Sequence, residues 1–185
     1  MREWREVHEK PGPEPKVAVL QRWTAPEEGW IKANTDGAVS KDGGKGGGGV
    51  VLRDHNGANI AGACHFFPHV MEAEAAEIKA CKRAILVAAE VNVQRIHLEL
   101  DSQALVQMIN TPERILAATG PWVEEIKTML RSFDAFRVSW VRRSANVAAH
   151  KLAKICVGEE LCKVWLGSPP DCILEVIAGK IPDVF

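Results

Sequence analysis

Ile31-Lys32-Ala33-Asn34-Thr35-Asp36-Gly37-Ala38 is the stretch from which the fold of this 185-residue chain can be read. Apolar and polar residues largely alternate along it, which is the period of a half-buried β-strand. The chain then turns through Gly43, Gly44 and Gly46 to Gly49. An acid near the middle of a strand is poor β material, so Asp36 needs a reason to be there. Either it occupies a solvent-facing edge position, the usual place for an acid, or it is one of several carboxylates gathered over a sheet to hold a metal. The rest of the chain decides between these.

Working outward, Gly49-Val50-Val51-Leu52-Arg53 predicts a second strand. Asp54-His55-Asn56-Gly57 predicts a hairpin turn, because Asn-Gly readily takes positive φ. A third strand runs through Ile60 to Phe67, and three short strands joined by tight turns make an antiparallel meander. The period then changes. From Glu72 to Glu90 the apolar residues Ile78, Cys81, Ala84, Ile85 and Ala88 follow the three-and-four spacing of an amphipathic helix. Arg95 to Asp101 alternates again and ends on another acid. Ser102 to Ile109 reads as a short helix, with Asp101 or Ser102 placed to cap it and Thr111-Pro112 to stop it. Pro121 to Phe133 predicts a helix with proline where its missing N–H costs little. Phe136 to Val141 predicts a last strand. Ser144 or Ala145 to Val157 predicts a last helix with the stripe Val147, Leu152, Ala153 and Cys156.

The order β-β-β-α-β-α-α-β-α describes an α/β protein. Its expected core is a five-stranded mixed sheet, three antiparallel strands and then parallel ones, flanked by helices. Residues 1–28, with Pro11, Pro13, Pro15 and Pro26 among mixed charges, read as an extended linker that Trp23 and Trp30 pin to the domain. Residues 29–157 read as the folded domain. Residues 158–185 read as a C-terminal extension whose Ile173–Ile177 segment forms a short docking helix or a partner surface.

Composition bounds the function. Apolar residues make up 46% of the chain and charged residues 25%, with a formal net charge of −1, so any polyanion must be met by local basic patches. Cysteines 64, 81, 156, 162 and 172 form no zinc spacing and read as reduced thiols. No apolar run reaches the length of a membrane span, and the start, Met1-Arg2-Glu3-Trp4, lacks a signal-peptide core. The expectation is an intracellular protein of nucleus or cytoplasm, without a membrane, acting as a monomer.

The informative acids are Asp36 in the first strand, Glu77 in the first turns of the long helix with Glu74 one turn earlier, and Asp101 closing the fourth strand. The carboxyl ends of strands and the adjacent helix starts form the usual crevice of an α/β sheet. Three acids delivered there repel one another unless a cation offsets them, and hard divalent ions such as Mg²⁺ choose oxygen ligands of this type.

In order and spacing, a set of motifs resembles ribonuclease H type 1 domains. Asn34-Thr35-Asp36-Gly37-Ala38, Gly47 to Asp54 and Asn56-Gly57 are similar to that family's opening strands. Ala76-Glu77 with Ala80 and Ala84 resembles its first helix, and Leu98-Glu99-Leu100-Asp101-Ser102 its fourth strand and next helix start. Trp140-Val141-Arg142-Arg143-Ser144-Ala145-Asn146 with Ala149-His150-Lys151-Leu152-Ala153 resembles its last strand and helix. The resemblance spans roughly residues 29 to 157. Together with the Pro26-Glu27-Glu28-Gly29-Trp30 lead-in and the Trp165…Pro169-Pro170 tail, it is nearest to the plant branch related to non-LTR retroelement reverse transcriptases.

The resemblance implies hydrolysis of the RNA strand of an RNA–DNA hybrid with two Mg²⁺ (or Mn²⁺) ions. It makes Asp36, Glu77 and Asp101 metal-binding acids, with Glu77 preferred to Glu74 because the preceding alanine and the distance to Asp101 fit the family pattern. His150 stands where the family usually has its fourth acid, Asp. As a catalytic residue it would ligate weakly or contact the departing phosphate, and imidazole suits Mn²⁺ or Zn²⁺ better than Mg²⁺. The alternative for His150 is a helix-surface histidine beside Lys151 and Lys154. Arg142-Arg143-Ser144 replace a longer histidine-bearing loop found in many bacterial members. Asn34, Gly37, Gly46, Gly47, Arg142, Arg143 and Asn146 are the expected nucleic-acid contacts. The glycines would let backbone approach 2′-hydroxyls and the arginines would meet phosphates, as Lys41, Lys45, Arg53 and Lys154 also could. A plain flexible hairpin is the alternative for the glycine run. The alternative function is a retroelement-derived domain that keeps the fold and binds nucleic acid or protein without turnover.

Overall fold

The computed structural model describes residues 20–179, so most of the expected linker, residues 1–19, lies outside the described residues. The alternating stretch forms β1 (Ile31–Val39), antiparallel to β2 (Lys45–Arg53) and parallel to β4 (Arg95–Leu100). On the β2 side, β3 (Asn59–Pro68) completes the meander. On the other side β5 (Ala135–Trp140) extends β4 in parallel. The sheet has six strands and not the expected five, because β6 (Lys163–Leu166) adds antiparallel to β3 and gives the order β5-β4-β1-β2-β3-β6. Its four residues are too few to show a period, yet they pair what would otherwise be the open edge of β3.

Two helices sandwich the sheet, and the alternation along β2 says which covers which face. A Cβ on Gly48 would meet Ala80 of α1 (Ala73–Glu90), whereas one on Gly49 would meet Ala149 and Leu152 of α4 (Val147–Glu159). Adjacent strand residues point to opposite faces. The α1 face buries the larger core: Ala33, Val50 and Leu52 from the sheet against Ile78, Cys81 and Ile85, closed by α2 (Gln103–Asn110) and α3 (Gly120–Leu130). The α4 face is smaller, with Val51, Cys64, Leu152, Cys156 and, from α5 (Asp171–Ile177), Ile173. Ser102 caps α2, its hydroxyl accepting from the Leu105 N–H at 3.3 Å.

Beyond α4, the same face is polar and is covered by the segment around Trp23. Lys32 pairs with Glu99 at 2.8 Å, both side chains buried. The Asn34 amide donates to Glu99 Oε2 at 2.9 Å, and its Oδ1 accepts from the Trp23 indole at 2.8 Å and from Arg53 at 3.0 Å. Among the described residues no helix is long and apolar enough to cross a membrane.

Candidate metal centre

Three separate elements deliver the acids. Asp36 comes from the middle of β1, opposite Gly49, which sets no side chain beside it. Asp101 follows the end of β4, the strand parallel to β1. Glu77 comes from the start of α1, which lies unusually near β1 because a Cβ on Gly37 would stand 2.3 Å from the Glu77 nitrogen. That close approach brings the helix down onto the strand and Glu77 with it.

One carboxylate oxygen from each of Asp36, Glu77 and Asp101 lies within 4.8 Å of the other two. Asp36 is fully buried and Glu77 nearly so. Burial, and then the charges of Asp36 and Asp101, push Glu77 up to about 9, against a hydrogen bond from the Gly37 backbone that favours its charged form. Asp101 is also raised, by burial first and the Asp36 charge second, with Arg143 opposing both. Two cationic or donor groups reach the cluster from the chain after β5. His150 on α4 donates from Nδ1 to Asp36 Oδ2 at 2.6 Å, and Arg143 Nε donates to Asp101 Oδ2 at 3.0 Å.

These contacts leave Asp36 Oδ1 and Glu77 Oε2 buried without a hydrogen-bond partner. Buried carboxylate oxygens are costly when unpaired, and an oxygen-only donor set of this spacing fits a hard divalent cation such as Mg²⁺ or Mn²⁺. His150 is not a member of the set: its contact is with Asp36 Oδ2, as a donor that fixes that carboxylate's orientation and leaves Oδ1 unpaired. Glu74, the alternative to Glu77, instead accepts from Thr119 at 2.8 Å and stands outside the cluster.

The expected nucleic-acid contacts divide. Arg142 and Arg143 are exposed beside the acids, Arg142 lying 5.8 Å over the Trp140 ring. Gly37 is half-buried with its N–H at Glu77. Asn34 does not reach the surface, being fully buried and spent on Glu99, Arg53 and Trp23. Asn146 is buried too, its amide donating to Thr35 O at 2.9 Å. Gly46 and Gly47 are covered by Val70 and by Ala153 with Cys156, so their missing Cβ admits neighbouring protein and not RNA. The hairpin alternative also fails for these two, since both sit inside β2. Trp140 was not expected at the site. Its indole donates to the Asp101 carbonyl at 3.1 Å, leaving the ring 43% exposed beside the acids. The alternation along Phe136–Val141 placed it on one strand face, but nothing in the sequence indicated that this face borders Asp101.

The profile of the family described as reverse transcriptase-like matches residues 34–156. A relative from Arabidopsis thaliana, provisionally named a ribonuclease H protein, is 35% identical over 142 residues, taking in 76% of this chain and 22% of its own length. The chain thus spans about a fifth of that relative. Among solved structures, the N-terminal ribonuclease H domain of a Mycobacterium tuberculosis protein is similar over 70% of this chain and 94% of that one, with TM-score 0.65 and 16% identity. Ribonuclease H1 of Halobacterium salinarum covers 71% and 99%, with TM-score 0.60 and 23% identity. A ribonuclease H1 isolated from compost by a metagenomic approach, solved with an RNA/DNA hybrid, covers 70% and 98%, with TM-score 0.64 and 18% identity. At these identities the likeness to solved structures carries the fold.

Proposed function

The chain belongs to the reverse transcriptase-like family and has a ribonuclease H-like fold, and on that premise we propose that it is a metal-dependent endonuclease hydrolysing the RNA strand of RNA–DNA hybrids. The observation that carries the proposal is the set of three carboxylates within 4.8 Å, two of them with buried oxygens unpaired. The hybrid as substrate is supported by the compost enzyme, which was solved with one.

In the proposed site Asp36, Glu77 and Asp101 hold Mg²⁺ or Mn²⁺. Two such ions, when bound, supply activation of a water and stabilisation of the charge on the attacked phosphate. The chain's own residues prepare for this. The Asp36 carboxylate is held by the His150 Nδ1–H, and that of Asp101 by Arg143. Glu77, raised by burial and by the two neighbouring acids, would bind the cation as a carboxylate, its proton exchanged for the ion's charge. Trp140 and Arg142, exposed next to Asp101, offer a ring and a cation to a strand laid across the site. Residues 29–157 carry the proposed site, while β6, α5 and Trp23 outside those bounds complete its sheet and cores; the proposed unit acts inside the cell as one copy.

A second proposal rests on the same contacts read the other way. His150 replaces a negative charge, and with Arg143 it already bonds two of the acids, an arrangement that also suits a domain that binds hybrid without turning it over. Hybrid cleavage and hybrid binding, measured with Mg²⁺ and with Mn²⁺, separate the two. Cleavage that disappears in Asp36→Asn supports the nuclease. Undiminished cleavage in Asp36→Asn removes the assignment, and a binding shift without cleavage under either ion favours the silent domain.

A further inference from the structure

Away from the acids, a cavity of about 230 Å³ opens between the segment around Trp23, the start of α4 and the end of α5, with Arg22, Trp23, Arg53, Val147, Ala148 and Ile177 in its lining. None of Asp36, Glu77, Asp101 and His150 borders it.

Arg53 decides what the cavity suits. It is 3% exposed and donates once, from Nη2 to Asn34 Oδ1; its Nε is sealed off without a partner, and among the described residues no hydrogen bond engages Nη1, the N–H group left for a ligand. The acid of that network is Glu99, and it is already committed: Oε1 pairs with Lys32 and Oε2 accepts from Asn34. Two buried cations thus share one carboxylate. The Trp23 ring, 3.7 Å from the guanidinium carbon, offsets part of the excess. Burial nevertheless holds Arg53 down to about 10. A buried guanidinium with an unused N–H and no carboxylate of its own is completed by an anion. The start of α4 adds to this. Its first-turn N–H groups have no carbonyl within the helix, and the cap residue Asn146 makes no side-chain bond to them, so the positive end of the helix is uncapped where Val147 and Ala148 line the cavity.

We propose that this cavity binds a phosphate monoester carried on a planar, largely apolar body, the chemistry of a nucleotide. Arg53, Arg22 and the first turn of α4 meet the phosphate, while Trp23, Val147 and Ile177 cover the body. At about 230 Å³ the cavity is smaller than the usual ligand pocket of about 300–1,000 Å³, so it takes one such unit only in part, with the remainder and any continuing chain outside. A free nucleotide and the phosphorylated end of a nucleic-acid strand share this chemistry. The site does not depend on the nuclease proposal.

The test is calorimetric titration of the full chain, free of divalent ions, with adenosine 5′-monophosphate, adenosine, inorganic phosphate, and one oligonucleotide with and without a 5′-phosphate. Saturable binding of the monophosphate is expected, at least about tenfold tighter than adenosine and weakened at least about tenfold by Arg53→Gln. Val176→Trp, which fills the cavity, abolishes it, and the exposed Arg22→Gln weakens it. Both leave hybrid cleavage or hybrid binding as it was. Preference for the 5′-phosphorylated oligonucleotide, lost in Val176→Trp, identifies a strand end as the occupant. Binding of the monophosphate without that preference identifies a free nucleotide. Should Arg53→Gln fail to fold, the other two variants decide. Absence of monophosphate binding in wild type, or binding unchanged by both Val176→Trp and Arg22→Gln, overturns the proposal.

Discussion

Replacing Glu77 by Gln tests the electrostatics of the acid cluster directly, and the sign of the effect is unusual for a loss of a native side chain. In the ion-free protein Glu77 is raised from 4.5 to about 9. The folded state therefore binds this proton more tightly than the unfolded state, and the stability it contributes is full below pH 4.5 and is lost as pH rises towards 9. One proton is worth at most about 1.4 kcal/mol per pH unit. From pH 7 to 8.5 that is up to about 2 kcal/mol, or a fall in Tm of about 4–8 °C for a domain of this size. His65 and His97, both lowered by burial, act the opposite way, but their contribution stops growing near pH 6.5, and the thiols of Cys64, Cys81 and Cys172, raised in the folded state, add to the fall only near the top of the window and in both proteins. Glu77→Gln has no proton to lose. The variant is expected to be more stable than wild type above neutrality and to show a flatter pH dependence, a trade of stability for function. Mn²⁺ or Mg²⁺ at about a hundred times its Kd is expected to stabilise wild type by about 2.7 kcal/mol, more at high pH, and the variant by much less. Thermal unfolding in EDTA and in each ion, from pH 7 to 8.5, reads all of this. Equal slopes for the two proteins in EDTA, or equal stabilisation of both by Mn²⁺, would refute the reasoning.

Other predictions follow from packing and charge. Gly49→Ala is expected to cost about 3 kcal/mol or more, because the added Cβ would stand 2.1 Å from the Ala149 carbonyl; urea denaturation measures it. Gly158→Ala, at an exposed position near the end of α4 with nothing within 4 Å of the new atom, is expected to stabilise by about 0.5–1 kcal/mol, and a loss in the same assay would count against this account of the glycines. Lys32→Met removes the cation paired with the buried Glu99 and leaves that charge to Arg53 alone, at a cost expected to stay below about 3–5 kcal/mol, the figure for a wholly uncompensated buried charge. His150→Asp puts a fourth carboxylate beside Asp36; the ion-free protein is expected to lose stability and to gain a steeper rise of Tm with Mg²⁺. A Mg²⁺ response identical to wild type would mean that position 150 has no part in the site.

Much of the fold was legible from local pattern. Alternation marked β1 and β4, and the shift to three-and-four spacing after Glu72 marked α1, because each element buries one face and its apolar residues recur with the backbone's own period. What escaped had no period of its own. Lys163–Leu166 is a strand only because the open edge of β3 is there to pair it. The segment around Trp23 was expected to be pinned to the domain by that residue, and it is; that its indole lies over Lys32, Asn34 and Arg53 was not legible, because these partners carry no signal of their own. Asn34 and Asn146 looked like surface donors because they flank the acids in sequence. Both proved to be buried, since short polar side chains beside a site are as useful holding strands and loops together as meeting a ligand.

The chain by itself determined which residues carry charge and in what order, and the run from Asp36 through Glu77 and Asp101 to His150 was visible in it. Only the tertiary structure decided that the three acids share a space of 4.8 Å, that His150 donates to Asp36, and that the glycines of β2 admit α4 and α1. The reason is physical. Period and spacing report how a segment relates to its own axis, but distances between segments are set by how closely helices settle on a sheet. Here that is governed by atoms that are absent, the missing Cβ groups of Gly37, Gly48 and Gly49.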